Sequence, residues 1–494
     1  MSVTFRLNGK PVTASDVSPT TTTLDWLRAQ GLTGTKEGCA EGDCGACTIA
    51  VRTSDRTTPS ESSWRSMCAC ILPIAQLADQ DIVTIEGLAK PAARHTLAPE
   101  LHPAQQAIVD TLGSQCGYCT PGVVMSLFEA TYREDIGGQP AQDDQLSGNL
   151  CRCTGYRPIR QALERVAGTR PEDSFTEATA TAQAPLKAVD LTHGGNRFVR
   201  PTNWEAFGAV LAESDDAPCF IQGATDLGLD ITKKNATWPL LVDLSALPGL
   251  DILHEDEDGW TIGAGVRLSE LENWSADRQP LLARMLRYFG SRQIKNRATM
   301  GGSLCNASPI GDLAPALLAL DAIVTLRRPS GDRTLPLDDF FLDYRKTALF
   351  DDEVMLSVFV PRPPVGARQS AHKVSKRREL DISSVAAAFV VATDDSGFVL
   401  HARIAYGGMA ATPRRALATE AALRNRSWSE HTLEEACRAL SRDFTPIDDH
   451  RGSAWYRSTV AANLLRSFFT ETRADPKPGL PDRPVSTVTG GGTP

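Results

Sequence analysis

The chain has 494 residues, 41% of them hydrophobic, a formal net charge of −9 and twelve cysteines. That length calls for several domains, each able to bury a core, and the acidic balance excludes a general nucleic-acid binder, which needs a basic face. The most apolar run, 314–325, contains Asp321 and is too short to span a membrane. The first ten residues carry no apolar secretion core, so the cysteines are expected as metal ligands or reduced thiols in the cytoplasm.

Strands are expected at 3–7 and 12–14 around Asn8-Gly9, a hairpin signal because both residues tolerate positive φ. Thr23 caps a helix over 24–30 that Gly31 ends. The glycine-packed loop that follows holds Cys39, Cys44 and Cys47 in the C-x4-C-x2-C spacing of a plant-type [2Fe–2S] centre. A fourth thiolate must come from further along, with Cys70 the candidate and Cys68 its rival. Zinc is the alternative, although zinc favours paired C-x2-C units. A strand at 48–51, a polar loop over 53–63 and an edge or final strand at 82–86 complete a domain assigned to 1–90.

Helices are expected over 103–112, 120–133 (Thr120 as N-cap, Pro121 first in the helix) and 158–166, within a helical domain spanning 91–168. Its helix ends carry Cys116 and Cys119 as C-x2-C, then Cys151 and Cys153 as C-x-C. Two such pairs suit a second [2Fe–2S] centre, with zinc again the alternative. Residues 169–196, rich in Ala, Thr, Glu and Pro, read as an extended linker.

A further domain is assigned to 197–370. Phe220, Ile221, Gln222, Gly223, Ala224, Thr225, Asp226 and Leu227 form a strand running into a turn whose N–H groups can cradle a phosphate. Thr299, Met300, Gly301, Gly302 and Ser303 form a second such turn, and 306–312 offers polar groups suited to a ribityl chain. No G-x-G-x-x-G is present, so a Rossmann site is not supported. The domain at 371–472 holds apolar strands at 385–392 and 405–409 and helices at 430–440 and 456–469. A tail at 473–494 is expected to be disordered. Cys68, Cys219, Cys305 and Cys437 lack paired partners and read as packed side chains.

The segments Gln115-Cys116-Gly117-Tyr118-Cys119-Thr120-Pro121-Gly122 and Asn149-Leu150-Cys151-Arg152-Cys153-Thr154-Gly155-Tyr156-Arg157-Pro158 resemble the iron–sulfur domain of molybdenum hydroxylases, the xanthine dehydrogenase and aldehyde oxidase enzymes. Ala69-Cys70-Ile71-Leu72-Pro73-Ile74 resembles the family's fourth-ligand segment. This implies Cys70 as the ligand and leaves Cys68 spare. Asp43 stands where many members carry glycine. By the same resemblance Gln115 approaches the pterin of a partner-bound molybdenum cofactor. The loop at 220–227 and the segment 292–312 resemble the family's FAD domain. The implied roles are diphosphate binding by 220–227 and 299–303, adenine stacking by Phe289, ribityl or ribose binding by Asp312, and completion of the pocket by Met355 and Lys373. The basic run 376–382 resembles a loop near the flavin that influences NAD access, and Leu380 stands where some relatives carry an acid.

The resemblance implies a multidomain α+β chain: a β-grasp ferredoxin-like domain, a four-helix [2Fe–2S] bundle, a vanillyl-alcohol-oxidase-like FAD domain and an α/β C-terminal domain. It also implies an electron route from molybdenum through the helical-domain cluster and the ferredoxin-domain cluster to FAD, and on to NAD as acceptor, during oxidation of hypoxanthine and xanthine to urate. Nothing in the 494 residues resembles the family's molybdenum domain. The expectation is therefore the small subunit of a bacterial-type split enzyme, with a molybdopterin-binding large subunit in an (αβ)2 heterotetramer and no nucleic-acid or membrane partner. An aldehyde or N-heterocycle substrate with another acceptor is the alternative, and a carrier without flavin turnover is a lower-ranked one.

Overall fold

The computed structural model describes residues 2–54, 62–90, 99–377 and 380–473. Strands β1 (Ser2–Leu7) and β2 (Lys10–Ser15) pair antiparallel around Asn8 and Gly9, whose φ angles of 51° and 78° make the tight turn. Helix α1 (Thr23–Ala29) is capped by Thr22, whose Oγ1 accepts from Asp25 N at 3.1 Å. Thr23, expected as the cap, is instead buried and donates to Leu72 O at 2.8 Å. Strands β3 (Thr48–Ser54), β4 (Ser62–Cys68) and β5 (Asp81–Val83) complete a sheet of order β2-β1-β5-β3-β4. The segment expected as an edge or final strand is the last of this domain and the central one of its sheet, parallel to β1 and antiparallel to β3, with Ile82 and Val83 fully buried. Residues 55–61 of the expected polar loop lie outside the described residues.

Four helices follow: α2 (Pro103–Asp110), α3 (Thr120–Tyr132), α4 (Gly138–Leu146) and α5 (Arg157–Val166). Helix α3 is buried from Gly122 to Tyr132, because α2, α4 and α5 and the β3–β4 face of the sheet surround it. The segment expected as a free linker is pinned down. Within it, α6 (Ser174–Thr179) is capped by Asp173, and Phe175 packs edge-on against Phe128 at 4.9 Å between ring centroids. Trp64 Nε1 of the first sheet donates to Phe175 O at 3.1 Å.

The next domain has two sheets. Strands β6 (Val189–His193), β7 (Asn196–Arg200), β8 (Cys219–Ile221) and β9 (Leu240–Asp243) form one, in the order β6-β7-β9-β8, with α7 (Trp204–Ala212) and α8 (Leu227–Lys234) in its connections. The other has the order β10-β11-β16-β12-β13, from β10 (Leu253–Glu255), β11 (Gly259–Gly263), β12 (Ile323–Arg328), β13 (Gly331–Pro336) and β16 (Val354–Pro361). A ribbon of β14 (Phe341–Asp343) and β15 (Lys346–Thr347) precedes β16. Helices α9 (Leu268–Ser275), α10 (Pro280–Arg287), α11 (Arg292–Lys295), α12 (Met300–Cys305) and α13 (Leu313–Ala319) link β11 to β12.

The last domain is a meander of β17 (Arg368–Val374), β18 (Val385–Thr393), β19 (Val399–Gly407) and β20 (Arg414–Arg415), followed by α14 (Leu417–Leu423), α15 (Glu430–Asp443) and α16 (Ala454–Thr472). Strand β18 is buried from Val385 to Ala392, because α13 and α16 both pack on it. Residues 474–494 of the expected tail lie outside the described residues. Among the described residues no helix is long and apolar enough to cross a membrane.

One buried ionic cluster joins the domains. Glu129 on α3 accepts from Arg292 Nε at 3.2 Å, Asn296 Nδ2 at 3.0 Å, Ser66 N at 3.1 Å and Gln145 Nε2 at 3.0 Å. Beside it Lys295 Nζ lies 2.6 Å from both Asp144 and Glu272. Burial opposes ionisation of Glu129, but Arg292 and Arg133 outweigh it and hold the carboxyl below its usual range. Removing one partner of a buried pair leaves an uncompensated charge. Glu129→Ala is therefore expected to lower stability by about 3–5 kcal/mol. The Glu129→Ala/Arg292→Ala double variant should lose less than the sum of the single losses, as read from denaturant midpoints.

A second buried group gives a pH dependence. His102 caps α2, accepting at Nδ1 from Ala104 N, and its Nε2 lies 2.7 Å from Tyr132 Oη, which donates to Asp173. Burial pushes its pKa down to about 4 from 6.5. The native state thus binds fewer protons than the unfolded chain, and the ring's contribution is complete above pH 6.5 and lost as pH falls toward 4. The expected slope is at most about 1.4 kcal/mol per pH unit. Stability measured across that window should show it in the wild type and lack it in His102→Asn.

Candidate redox-cofactor sites

The first cysteine loop runs from α1 to β3. The N–H groups of Glu41 and Cys44 donate to Cys39 Sγ at 3.4 and 3.3 Å, the backbone-to-sulfur bonding that stabilises a thiolate. Cys39 meets Cys44 and Cys70, whose hydrogen bonds hold its thiol well below the usual range. Cys70 reaches both Cys39 and Cys47, whereas Cys68 reaches Cys47 alone and turns its thiol to Gly42 O at 3.5 Å. Cys70 therefore stands among the loop thiols and Cys68 at their edge.

The second set lies before α3 and α5. Cys119 contacts Cys151, and Cys116 contacts Cys153. Burial pushes the Cys119 thiol up to about 12. Tyr156, left-handed at φ 66°, turns its hydroxyl back to accept from Cys151 N at 2.8 Å, and Thr154 Oγ1 lies 3.2 Å from Cys151 Sγ. In the second set the thiols meet as two pairs, and in the first as a run from Cys44 through Cys39 and Cys70 to Cys47; either arrangement gives four thiolates to two irons. Among the described residues no three His, Cys, Asp or Glu side chains gather as one metal ion would need. Gln115, Cys116, Tyr118, Leu150 and Cys153 are exposed.

The two sets touch through backbone. Leu150 N, one residue before Cys151, donates to Cys44 O at 2.9 Å. Gly45 has φ 66°, and a Cβ there would lie 1.9 Å from Gly148 O, so only glycine permits the approach. Asn149 holds the joint, donating to Gly45 O at 3.2 Å and accepting from Ser126 Oγ at 2.6 Å and Gln293 Nε2 at 2.9 Å. Sequence reading missed Asn149, Gln293 and Gly45 in this role. It also carried 292–296 only as part of a flavin resemblance, whereas Arg292, Gln293, Lys295 and Asn296 bind the helical domain and the first sheet.

On its other side the first cysteine loop meets α8, which continues directly from the turn at 222–226. Lys233 Nζ donates to Cys39 O at 2.6 Å, and a Cβ on Gly228 would lie 2.7 Å from Ile71 O, next to Cys70.

The two turns expected to hold a diphosphate differ. The N–H groups of Met300, Gly301, Gly302 and Ser303 are already used, by Val266 O, Ala264 O, Thr299 Oγ1 and Thr299 O. Those of Gly223, Ala224, Thr225 and Asp226 make no hydrogen bond among the described residues, and Ala224 is left-handed at φ 60°. The anion-facing backbone is therefore the turn after β8, with Phe220 and Ile221 on the strand that leads in and Leu227 opening α8. Gly301 serves close packing, since a Cβ there would lie 2.6 Å from Ala264 Cβ. The residues present fit a flavin dinucleotide.

Asp312 is already engaged, by Lys373 Nζ at 2.8 Å and by Ser383 Oγ, and Lys373 also donates to Tyr288 O at 2.9 Å. Phe289, beside Tyr288, is half-buried against the domain core, and Met355 is buried at a register shift between β12 and β16. Arg345, which sequence reading passed over, spans from Asp226 at 3.8 Å to Asn306 Oδ1 at 3.4 Å, clasping the flavin-side loops. In the run 376–382 Arg377 N donates to Asp381 at 2.7 Å, and 378–379 lie outside the described residues. Burial raises the Asp43 carboxyl, and nearby Arg377 opposes the rise, so this run lies beside the first cysteine loop.

The arrangement of Cys70 and Cys68 is testable. Cys70→Ser is expected to remove one cluster, lowering iron from about four to about two per chain, with loss of one of two paramagnetic signals. Cys68→Ser should keep both.

The chain matches four domain families in order. A 2Fe-2S iron-sulfur cluster binding domain matches residues 5–75 and a [2Fe-2S] binding domain residues 84–164. The FAD binding domain in molybdopterin dehydrogenase matches 192–363, and the CO dehydrogenase flavoprotein C-terminal domain 370–472. Xanthine dehydrogenase/oxidase of Gallus gallus is 31% identical over 94% of this chain and 39% of that protein. Xanthine dehydrogenase of Emericella nidulans is 32% identical over 95% of this chain and 38% of its own length. The chain thus spans about two fifths of these curated relatives. Among solved structures, a chain of the carbon monoxide dehydrogenase of Hydrogenophaga pseudoflava superposes with a TM-score of 0.52 at 28% identity, covering 55% of this chain and 94% of that one. Quinoline 2-oxidoreductase of Pseudomonas putida 86 shares the fold at a TM-score of 0.51 and 23% identity, covering 55% of this chain and 94% of that one. In the order of its two [2Fe–2S] domains, its FAD-binding domain and its C-terminal flavoprotein domain, the chain belongs to the molybdenum hydroxylase family.

Proposed function

We propose that this chain is the electron-transfer subunit of a bacterial-type cytoplasmic xanthine dehydrogenase. It passes electrons from a molybdenum cofactor on a separate molybdopterin-binding subunit, through two [2Fe–2S] clusters and FAD, to NAD during oxidation of hypoxanthine and xanthine to urate. The assembly is an (αβ)2 heterotetramer. The observation that carries the reading is the linear contact order. The exposed Cys116 and Cys153 edge comes first, then the Leu150–Cys44 hydrogen bond, then Gly228 of α8 against Ile71.

Cys116, Cys119, Cys151 and Cys153 would hold one cluster, and Cys39, Cys44, Cys47 and Cys70 the other. The turn after β8, with Asp312, Met355, Lys373 and Phe289, would hold FAD. Bound there, the clusters supply one-electron steps and the flavin supplies storage of two electrons and hydride transfer. The chain's own part is to fix spacing and exclude water. The Glu129–Arg292 cluster and Asn149 lock the domains, and the buried Cys47 and Cys70 shield the middle site from solvent. Gln115, exposed beside Cys116, faces the partner's pterin. Leu380, left-handed at φ 49° where some relatives carry an acid, favours a second reading in which an aldehyde or N-heterocycle enzyme uses another acceptor.

The complex purified through this chain, given xanthine and NAD without oxygen, is expected to form NADH. Bleaching of clusters and flavin by xanthine with no NADH would retain the substrate and reject the acceptor. Bleaching by an aldehyde alone would reject xanthine.

A further inference from the structure

Arg297 stands directly behind the turn that presents free N–H groups. Its Nε donates to Gly223 O at 3.1 Å, and its Nη2 donates to Gln222 O at 3.3 Å and to Gln76 Oε1 at 2.7 Å. Gln76 belongs to the first [2Fe–2S] domain, six residues after Cys70, and its own Nε2 donates to the same Gln222 O at 2.9 Å. Gln76 is in turn fixed by Asp243 at 3.2 Å and, through its carbonyl, by Arg200 Nη2 at 3.0 Å.

Two features of this clamp point at the diphosphate. In a trans peptide C=O and N–H point in opposite directions. Holding the carbonyls of Gln222 and Gly223 therefore turns the N–H groups of Gly223 and Ala224 away from Arg297, toward the open side of the turn. The second feature is charge. Asp243 is committed to Arg200 at 2.9 Å, both side chains being fully buried, and Arg297 has no carboxylate within ion-pair distance among the described residues. Arg297 is half-buried, and a guanidinium partly withdrawn from water with no carboxylate partner favours another anion nearby. Burial and the nearby Arg200 and Arg267 push its pKa down to about 10 against the opposing pull of Asp243.

We infer that Arg297, braced by Gln76 of the neighbouring domain, is the positioning residue and counter-charge for the FAD diphosphate, so that docking of the first [2Fe–2S] domain and retention of FAD are one linked event. This rests on the flavin reading of the turn after β8.

The test uses the complex stripped of flavin and titrated with FAD by fluorescence, with iron content and the cluster spectrum as folding controls. Arg297→Met is expected to weaken FAD about 100-fold, and Arg297→Lys, which keeps charge but loses the fork, about 10-fold. Gln76→Leu alters no charge and lies in another domain, and it should weaken FAD about 10-fold with both cluster signals intact. If Arg297→Met fails to fold, Gln76→Leu decides. Wild-type affinity in Gln76→Leu and in any folded Arg297 variant overturns the proposal. Failure of the stripped wild type to take up FAD overturns the flavin reading instead.

Discussion

The relative placement of three domains depends on the carboxylate of Glu129. It sits on the most buried helix of the bundle and binds a backbone N–H of the first sheet, an amide of the helical domain, and a guanidinium and an amide of the flavin domain. A buried charge is tolerated only when its lone pairs are met, so no single domain satisfies it. Electron transfer between sites falls off steeply with distance, and a chain that carries electrons gains from domains that cannot slide. Apolar clusters shared between the domains supply the burial, and this ionic and hydrogen-bonded set fixes the register that apolar contact alone leaves loose.

The first cysteine loop is held from two sides by the same device, a glycine that lets two backbones meet. Gly45 admits the helical domain's 148–150 segment, and Gly228 admits α8 to the Cys70–Ile71 backbone. Added side chains at either point would push the neighbouring site outward by the thickness of a methyl group. The first cysteine loop is consequently covered on two sides, while the second set keeps an open edge at Cys116 and Cys153.

What could be read from the sequence was local. The spacing of Cys39, Cys44 and Cys47, the Asn8-Gly9 turn, the Pro starts of α2 and α3 and the turn after β8 each lie within a dozen residues, where spacing constrains geometry. The unread parts depend on partners far along the chain. Arg292 and Asn296 meet Glu129 more than 160 residues away, and Gln76 meets Arg297 across 221 residues. A charged residue in a short helix carries no mark of that. The alternation at 82–86 suited an edge or final strand, and nothing in it marks β5 as the centre of the sheet, because its partners β1 and β3 lie far upstream. The 169–196 segment looked like a linker from its composition, while Phe175 and Asp173 tie it to an aromatic cluster that composition cannot show. The two Gly-containing turns at 222–226 and 299–303 looked alike, and only the hydrogen bonds of Met300 to Ser303 separate them.

The unequal exposure of the two cysteine sets has a consequence for reactivity. Cys47 and Cys70 are 2% exposed and lie beneath α8 and the joint at Gly45, whereas Cys116 and Cys153 stand open at the surface of the folded chain. Oxidation of a thiol follows its access to solvent, so damage to the folded chain begins at the outer set and reaches the inner pair last.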